Sequence, residues 1–108
     1  MSLASVKDMA NYEVKYASIS GSGTFAAVAA VTGKKINVIS YVLGGSATAT
    51  AIFKSATTAI SGAIPIAATF AVSASWNPDG WMETAAGEAL NITISTGNGV
   101  GHLSYIEV

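Results

Sequence analysis

His102 is the only histidine in the chain, so any imidazole base would have to be this residue. Ser104 and Glu107 follow it closely enough to suggest a nucleophile and an orienting acid. A triad, however, is an arrangement in space, which spacing along one segment does not supply. The plainer alternative is a histidine on a strand face near a sheet edge. No Gly-x-Ser-x-Gly elbow occurs, and Gly21-Ser22-Gly23 lacks the required flanks. Gly97-Asn98-Gly99-Val100-Gly101 has glycine spacing suggestive of a nucleotide loop. A phosphate cradle needs a helix opening directly after it, whereas His102-Leu103-Ser104-Tyr105 reads as a strand. A hairpin turn between the last two strands is therefore expected there. Asp79, Glu83 and Glu88 are half of the acids and fall in one loop region. With carbonyls they could make a weak calcium site, which needs about six to eight oxygens. Equally, they could keep a long loop soluble or pair with Lys34, Lys35 or a neighbour's lysine. No catalytic residue, cofactor or metal ligand is assigned on these grounds.

The aromatic residues of the same region are more informative. Asn77-Pro78-Asp79-Gly80 fits a type I turn, with Pro second and Gly fourth. Trp76 and Trp81 flank it. One tryptophan is expected to plug an end of the fold, because an indole is a large apolar load with one donor to satisfy. The pair could also serve as an interface anchor or as a sugar-stacking platform.

These residues must be positioned by a chain of 108 residues, which allows one domain. Ala, Gly, Ser and Thr make up half of it, cysteine and arginine are absent, and only 10% of residues are charged. The lack of cysteine excludes a disulfide framework and a thiolate metal site. Five lysines and a net charge of −1 give no electrostatic basis for gripping a nucleic-acid backbone. A surface so short of charge fits either membrane insertion or coverage by a partner. The uncharged stretch Ser55–Pro78 contains Gly62, Pro65, Trp76, Asn77 and seven Ser or Thr, so it is not a spanning helix. No basic segment precedes a hydrophobic one at the start, and no signal peptide is expected; the Asn91-Ile92-Thr93 glycosylation triplet is then incidental. Assembly is the better explanation of the low charge.

Ile and Val total 19 against four Leu, a bias toward pleated, half-buried surfaces. Turn chemistry recurs at Gly21–Gly23, Thr32–Lys34, Gly44–Ser46, Ser61-Gly62, Asn77–Gly80 and Thr96–Gly99. Strands are predicted near Tyr12–Ser20, Thr24–Val31, Lys35–Leu43, Thr48–Lys54, Ala59–Ala63, Thr69–Ala74, Ala89–Ser95 and Gly101–Val108. Leu90, Ile92 and Ile94 alternate with Asn91, Thr93 and Ser95, the clearest period-two signal. Ile36–Leu43 is apolar on both faces in its second half, which implies a central strand or one covered by another subunit. Ala26–Ala30 has helical propensity but is too short for a stable helix and is read as strand. The sum is an all-β chain, an antiparallel β-sandwich of about eight strands, jelly roll in the first instance and immunoglobulin-like in the second. Residues 12–108 form this domain. Residues 1–11 form an N-terminal arm in which Leu3, Val6 and Met9 fall three apart, either a frayed end or a segment that orders on a neighbour.

One pattern extends over about Gly33 to Val108. It runs Gly33-Lys34-Lys35-Ile36-x-Val38, Ser40-Tyr41-x-Leu43, Phe53-x-Ser55, Ile60-Ser61-Gly62, Pro65, Asn77-Pro78-x-Gly80-Trp81, Thr84, Gly87-Glu88-x-Leu90 and Gly101-x-Leu103-x-Tyr105. In these turn and core residues the chain resembles small β-sandwich structural proteins of tailed double-stranded DNA phages, most of all capsid cement or decoration proteins. The resemblance carries no catalytic motif. It implies a non-enzymatic virion protein with the major capsid protein as partner, seated as a homotrimer on the capsid surface and contacting neither nucleic acid nor membrane. A trimer would hide Ile39, Tyr41 and Leu43. Leu3, Val6, Met9, Trp76, Asp79, Trp81 and Met82 are the candidate contacts to the shell. The rival is a tail or fibre module that binds a host glycan through Trp76, Trp81 or Tyr41, and more remotely a hydrolase built on His102.

Overall fold

The computed structural model describes residues 12–108, so the arm and the contacts expected of Leu3, Val6 and Met9 lie outside the described residues. The described chain is all β and antiparallel throughout. Its strands are β1 (Lys15–Val28), β2 (Ile36–Gly45), β3 (Ala49–Ser55), β4 (Thr58–Ala59), β5 (Ile64–Ile66), β6 (Ala71–Ala74), β7 (Met82–Glu83) and β8 (Leu90–Glu107). All eight join in one hydrogen-bonded sheet rather than being divided between two.

The organising element is β8, an 18-residue strand. Along one side it pairs with β1 over nearly its whole length. Along the other it pairs first with β3, from Ser55↔Leu90 to Ala51↔Ile94, and then with β2, from Gly45↔Gly99 to Ile36↔Glu107. The change of partner falls where Ser95, Thr96 and Gly97 have no counterpart on β1, since Ser22↔Asn98 is followed by Gly23↔Ile94. Extra residues on one strand of a pair bend it and re-aim the ladder. Strand-switching bends of this kind make corners in packed β structures. Ser46 ties the corner down: its amide donates to the Asn98 carbonyl at 2.9 Å and its hydroxyl accepts from the Asn98 amide at 2.9 Å.

The core is shared by both halves of the bent sheet. Ile19, Ile36, Val38, Leu43 and Leu103 come from one half, and Val28, Ala51, Phe53, Leu90, Ile92 and Ile94 from the other, with Ile66 of β5 joining them. The rings of Tyr41 and Phe53 meet across it, with centroids 5.1 Å apart and planes tilted by 43°. Such tilted contacts suit the ring quadrupoles. The Leu90-Ile92-Ile94 alternation faces the core as its period requires.

The two glycine clusters read as turns are interior to strands, which corrects the expectation of a hairpin at Gly97–Gly101 and of a break at Gly21–Gly23. Gly21 and Gly99 are partners in the β1–β8 ladder. A Cβ on Gly21 would lie 2.6 Å from the Phe25 ring, and one on Gly99 would lie 2.7 Å from Ile94. Glycine is therefore placed where large side chains at the corner fold back over backbone. The same observation removes the phosphate-loop possibility, because Gly101 is followed by strand and not by a helix.

Candidate functional site

The segment from Ser75 to Thr84 is irregular but built like a strand against β2. Beyond the four pairs that β2 makes with β6, its edge is taken over by this segment. The Asn77 amide donates to Ile39 O at 2.9 Å, Trp81 N to Val38 O at 2.7 Å, and Thr84 N to Ile36 O at 3.0 Å. The Thr84 hydroxyl accepts from Ile36 N at 2.9 Å. Ile39 lies at the register shift between Val38 and Ser40, and that shift lets the Asn77 turn dock. Within the turn, Gly80 N donates to Asn77 O at 2.9 Å and Asp79 N to Asn77 Oδ1 at 3.1 Å, the side chain mimicking a further turn of backbone. The Asn77-Pro78-Asp79-Gly80 turn is thus formed where the sequence places it.

Asn37 fastens the turn from beneath. It is 2% exposed, and its Nδ2 donates to Glu83 Oε2 at 2.9 Å and to Asp79 O at 3.4 Å. Its Oδ1 has no hydrogen-bond partner and faces Gly80. A Cβ on Gly80 would lie 1.8 Å from that oxygen, and Gly80 has φ of +89°. Only glycine satisfies both the close approach and the left-handed backbone. Lys35 Nζ adds a longer contact of 4.0 Å to Glu83 Oε1.

This frame presents two indoles to solvent. Trp76 is 54% exposed and Trp81 49% exposed, so neither plugs an end of the fold as the sequence led one to expect. The core closes on aliphatic residues and Phe53 without them. The Trp81 indole nitrogen donates to Ser75 O at 2.8 Å, which fixes the ring while leaving about half of it open. Trp81, Met82, Asp79, Gly80, Glu83 and Asn37 line a shallow hollow of about 170 Å³. Asp79 is exposed at its rim, and Met82 is half-buried against the core.

The other candidates separate from this site. Ile39 and Leu43 are fully buried within the protomer, so they have no surface left for a trimer to hide. Tyr41 is half-buried, its ring spent on Phe53. His102 is exposed on β8, while Ser104 is buried with its hydroxyl on Ser40 and Glu107 is paired with Lys15 at 3.3 Å. Ser104 and Glu107 therefore point to other partners than His102. The three clustered acids also diverge: Glu83 goes to Asn37, Glu88 to the Ser55 hydroxyl, and Asp79 to solvent. Among the described residues no group of three or more His, Cys, Asp or Glu is placed to hold a metal ion.

Sequence reasoning missed Asn37. The signal was present, since an amide inside the apolar run Ile36–Leu43 must find partners once buried. It also missed Tyr16 and Phe70, which are 78% and 52% exposed. No family model, no curated protein and no solved structure matches the chain.

Proposed function

We propose that this chain is a non-catalytic virion protein, a capsid decoration protein that attaches to the outer surface of a tailed-phage shell and bridges neighbouring copies of the major capsid protein. The phage assignment rests on the resemblance in turn and core residues between Gly33 and Val108. The observation that carries the binding role is the rigid segment Ser75–Thr84, held by backbone bonds to β2 and by Asn37, with Trp76 and Trp81 half open at its surface. Tryptophan on an ordered frame is the side chain most enriched among binding anchors, because little entropy is lost when it is covered. A chain in which only 10% of residues are charged supports the same role.

The mechanism is mechanical. Several weak contacts made at once by clustered copies raise avidity by about 10²–10⁴ over one contact and oppose separation of shell subunits under the load of packaged DNA. A footprint present only on the expanded shell would confine attachment to that state by differential affinity. Because Ile39 and Leu43 are already buried in the protomer, multivalent attachment carries this proposal, and the three-fold arrangement rests on the resemblance alone.

The copy number in purified particles, relative to the major capsid protein, tests the role. A ratio near one supports a shell component, and a handful of copies moves the protein to tail or fibre. Trp81→Ala tests the site: the variant folds but fails to attach. The hollow beside Trp81, with Asp79 exposed at its rim, favours the glycan module as second reading. Sugar binding by the isolated protein, abolished by Trp81→Ala, would establish it.

A further inference from the structure

Among the described residues β1 pairs only with β8, and no strand pairs with its other edge. The remaining outer strands are short or interrupted: β4 and β7 have two residues each, β6 has four, and β5 has three with Pro65 in the middle. Short edges and edge proline are among the ways β proteins avoid unwanted pairing. By contrast, β1 has 14 residues, no proline, and Lys15 at its first position as its sole charge. The register of its ladder with β8 shifts after Ser22 and again after Ala26, but over Tyr16–Ser22 its unpaired edge is a regular backbone template with neither proline nor charge.

We propose that this edge is a self-association site, at which β1 of one copy pairs antiparallel with β1 of a second over Tyr16–Ser22. Antiparallel pairing of a strand with itself is two-fold symmetric, so one contact satisfies the open edges of both copies. The side chains suit that symmetry. The outward row is Tyr16, Ser18, Ser20 and Ser22, all exposed, with Tyr16 at 78% the most exposed large hydrophobic residue among the described residues. A register centred on Ile19 sets Tyr16 opposite Ser22 and Ser18 opposite Ser20, so each tyrosine covers its neighbour's serines. Lys15 then meets Gly23, and no like charges face each other. A foreign strand would be selected by pockets or charges along the edge, and this edge offers only the terminal Lys15. Self-complementarity therefore favours a second copy of the chain. The proposal is independent of capsid attachment, and its two-fold contact stands in place of the three-fold arrangement that the resemblance implies.

Sedimentation velocity and native mass spectrometry of the full chain, from about 1 μM to about 1 mM, test it. A monomer–dimer equilibrium is expected. Ser18→Lys with Ser20→Lys sets two like-charge pairs across the two-fold and weakens the dimer roughly 2–30-fold. Ser73→Lys, on the opposite edge strand β6, leaves it unchanged. Because the chain has no cysteine, Ser18→Cys with Ser20→Cys gives a clean second readout: mild oxidation yields a covalent dimer, and Ser73→Cys does not. That readout decides if the lysine variant fails to fold. A monomer throughout the range, a trimer, a dimer indifferent to the lysines, or equal cross-linking through Ser73→Cys overturns the proposal.

Discussion

Gly80→Ala tests whether the tryptophan segment is held as described. The added methyl would sit 1.8 Å from Asn37 Oδ1, 2.5 Å from its Cγ and 2.7 Å from its Nδ2, so the buried amide must move. Moving it breaks the bond from Nδ2 to the Glu83 carboxylate, a hydrogen bond to a charged group worth about 1.5–3 kcal/mol. Holding φ at +89° with a Cβ present adds about 1–2 kcal/mol. The expected destabilisation is therefore about 2.5–5 kcal/mol by addition of the two terms. Urea denaturation followed by tryptophan fluorescence and far-UV circular dichroism measures it. A double-mutant cycle with Asn37→Ala separates the terms. The Asn37 bond can be lost only once, so the double variant should be less destabilised than the sum of the singles by about 1.5–3 kcal/mol. A Gly80→Ala loss below about 1 kcal/mol, or strict additivity in the cycle, would refute the reasoning.

Gly101→Ala should be as damaging for a different reason: its Cβ would lie 1.9 Å from the Val42 carbonyl oxygen, so β2 and β8 must part. Gly33→Ala, with φ of +74° but open space around it, should cost only about 1–2 kcal/mol, and thermal melts compare the two. Ser40 and Ser104 share a hydrogen bond on the face away from the main core. Ser40→Ala alone leaves the buried Ser104 hydroxyl unpaired at about 1–3 kcal/mol, while the double alanine variant should return close to wild-type stability in urea titration. The Lys15 ammonium is held above its ordinary value of 10.5, chiefly by its hydrogen bond to Glu107 and then by that carboxylate's charge. A raised folded-state value stabilises the protein below the unfolded pKa and loses that contribution as pH rises through the folded one. Glu107→Gln should therefore be less stable than wild type at neutral pH, with the gap closing as pH rises through the folded-state value, and NMR titration of the Lys15 amine should show the matching fall.

Local chemistry written into the chain settles much of this protein. The Ile and Val bias, the Leu90-Ile92-Ile94 alternation and the Asn77–Gly80 turn each depend on near neighbours, and each is realised. The corner is different. Gly21-Ser22-Gly23 and Gly97–Gly101 carry turn residues, yet they lie opposite one another inside two continuous strands, because glycine there makes room for Phe25 and Ile94. Nothing local distinguishes a glycine that turns the chain from one that admits a distant side chain. The exposure of Trp76 and Trp81 was likewise hidden, since indole burial depends on whether the core closes without them. The role of Asn37 required knowing that residues more than forty positions away return to the β2 edge. Sequence fixes which backbone shapes are cheap; only tertiary pairing decides which edges are filled, which stay open, and what is left facing solvent.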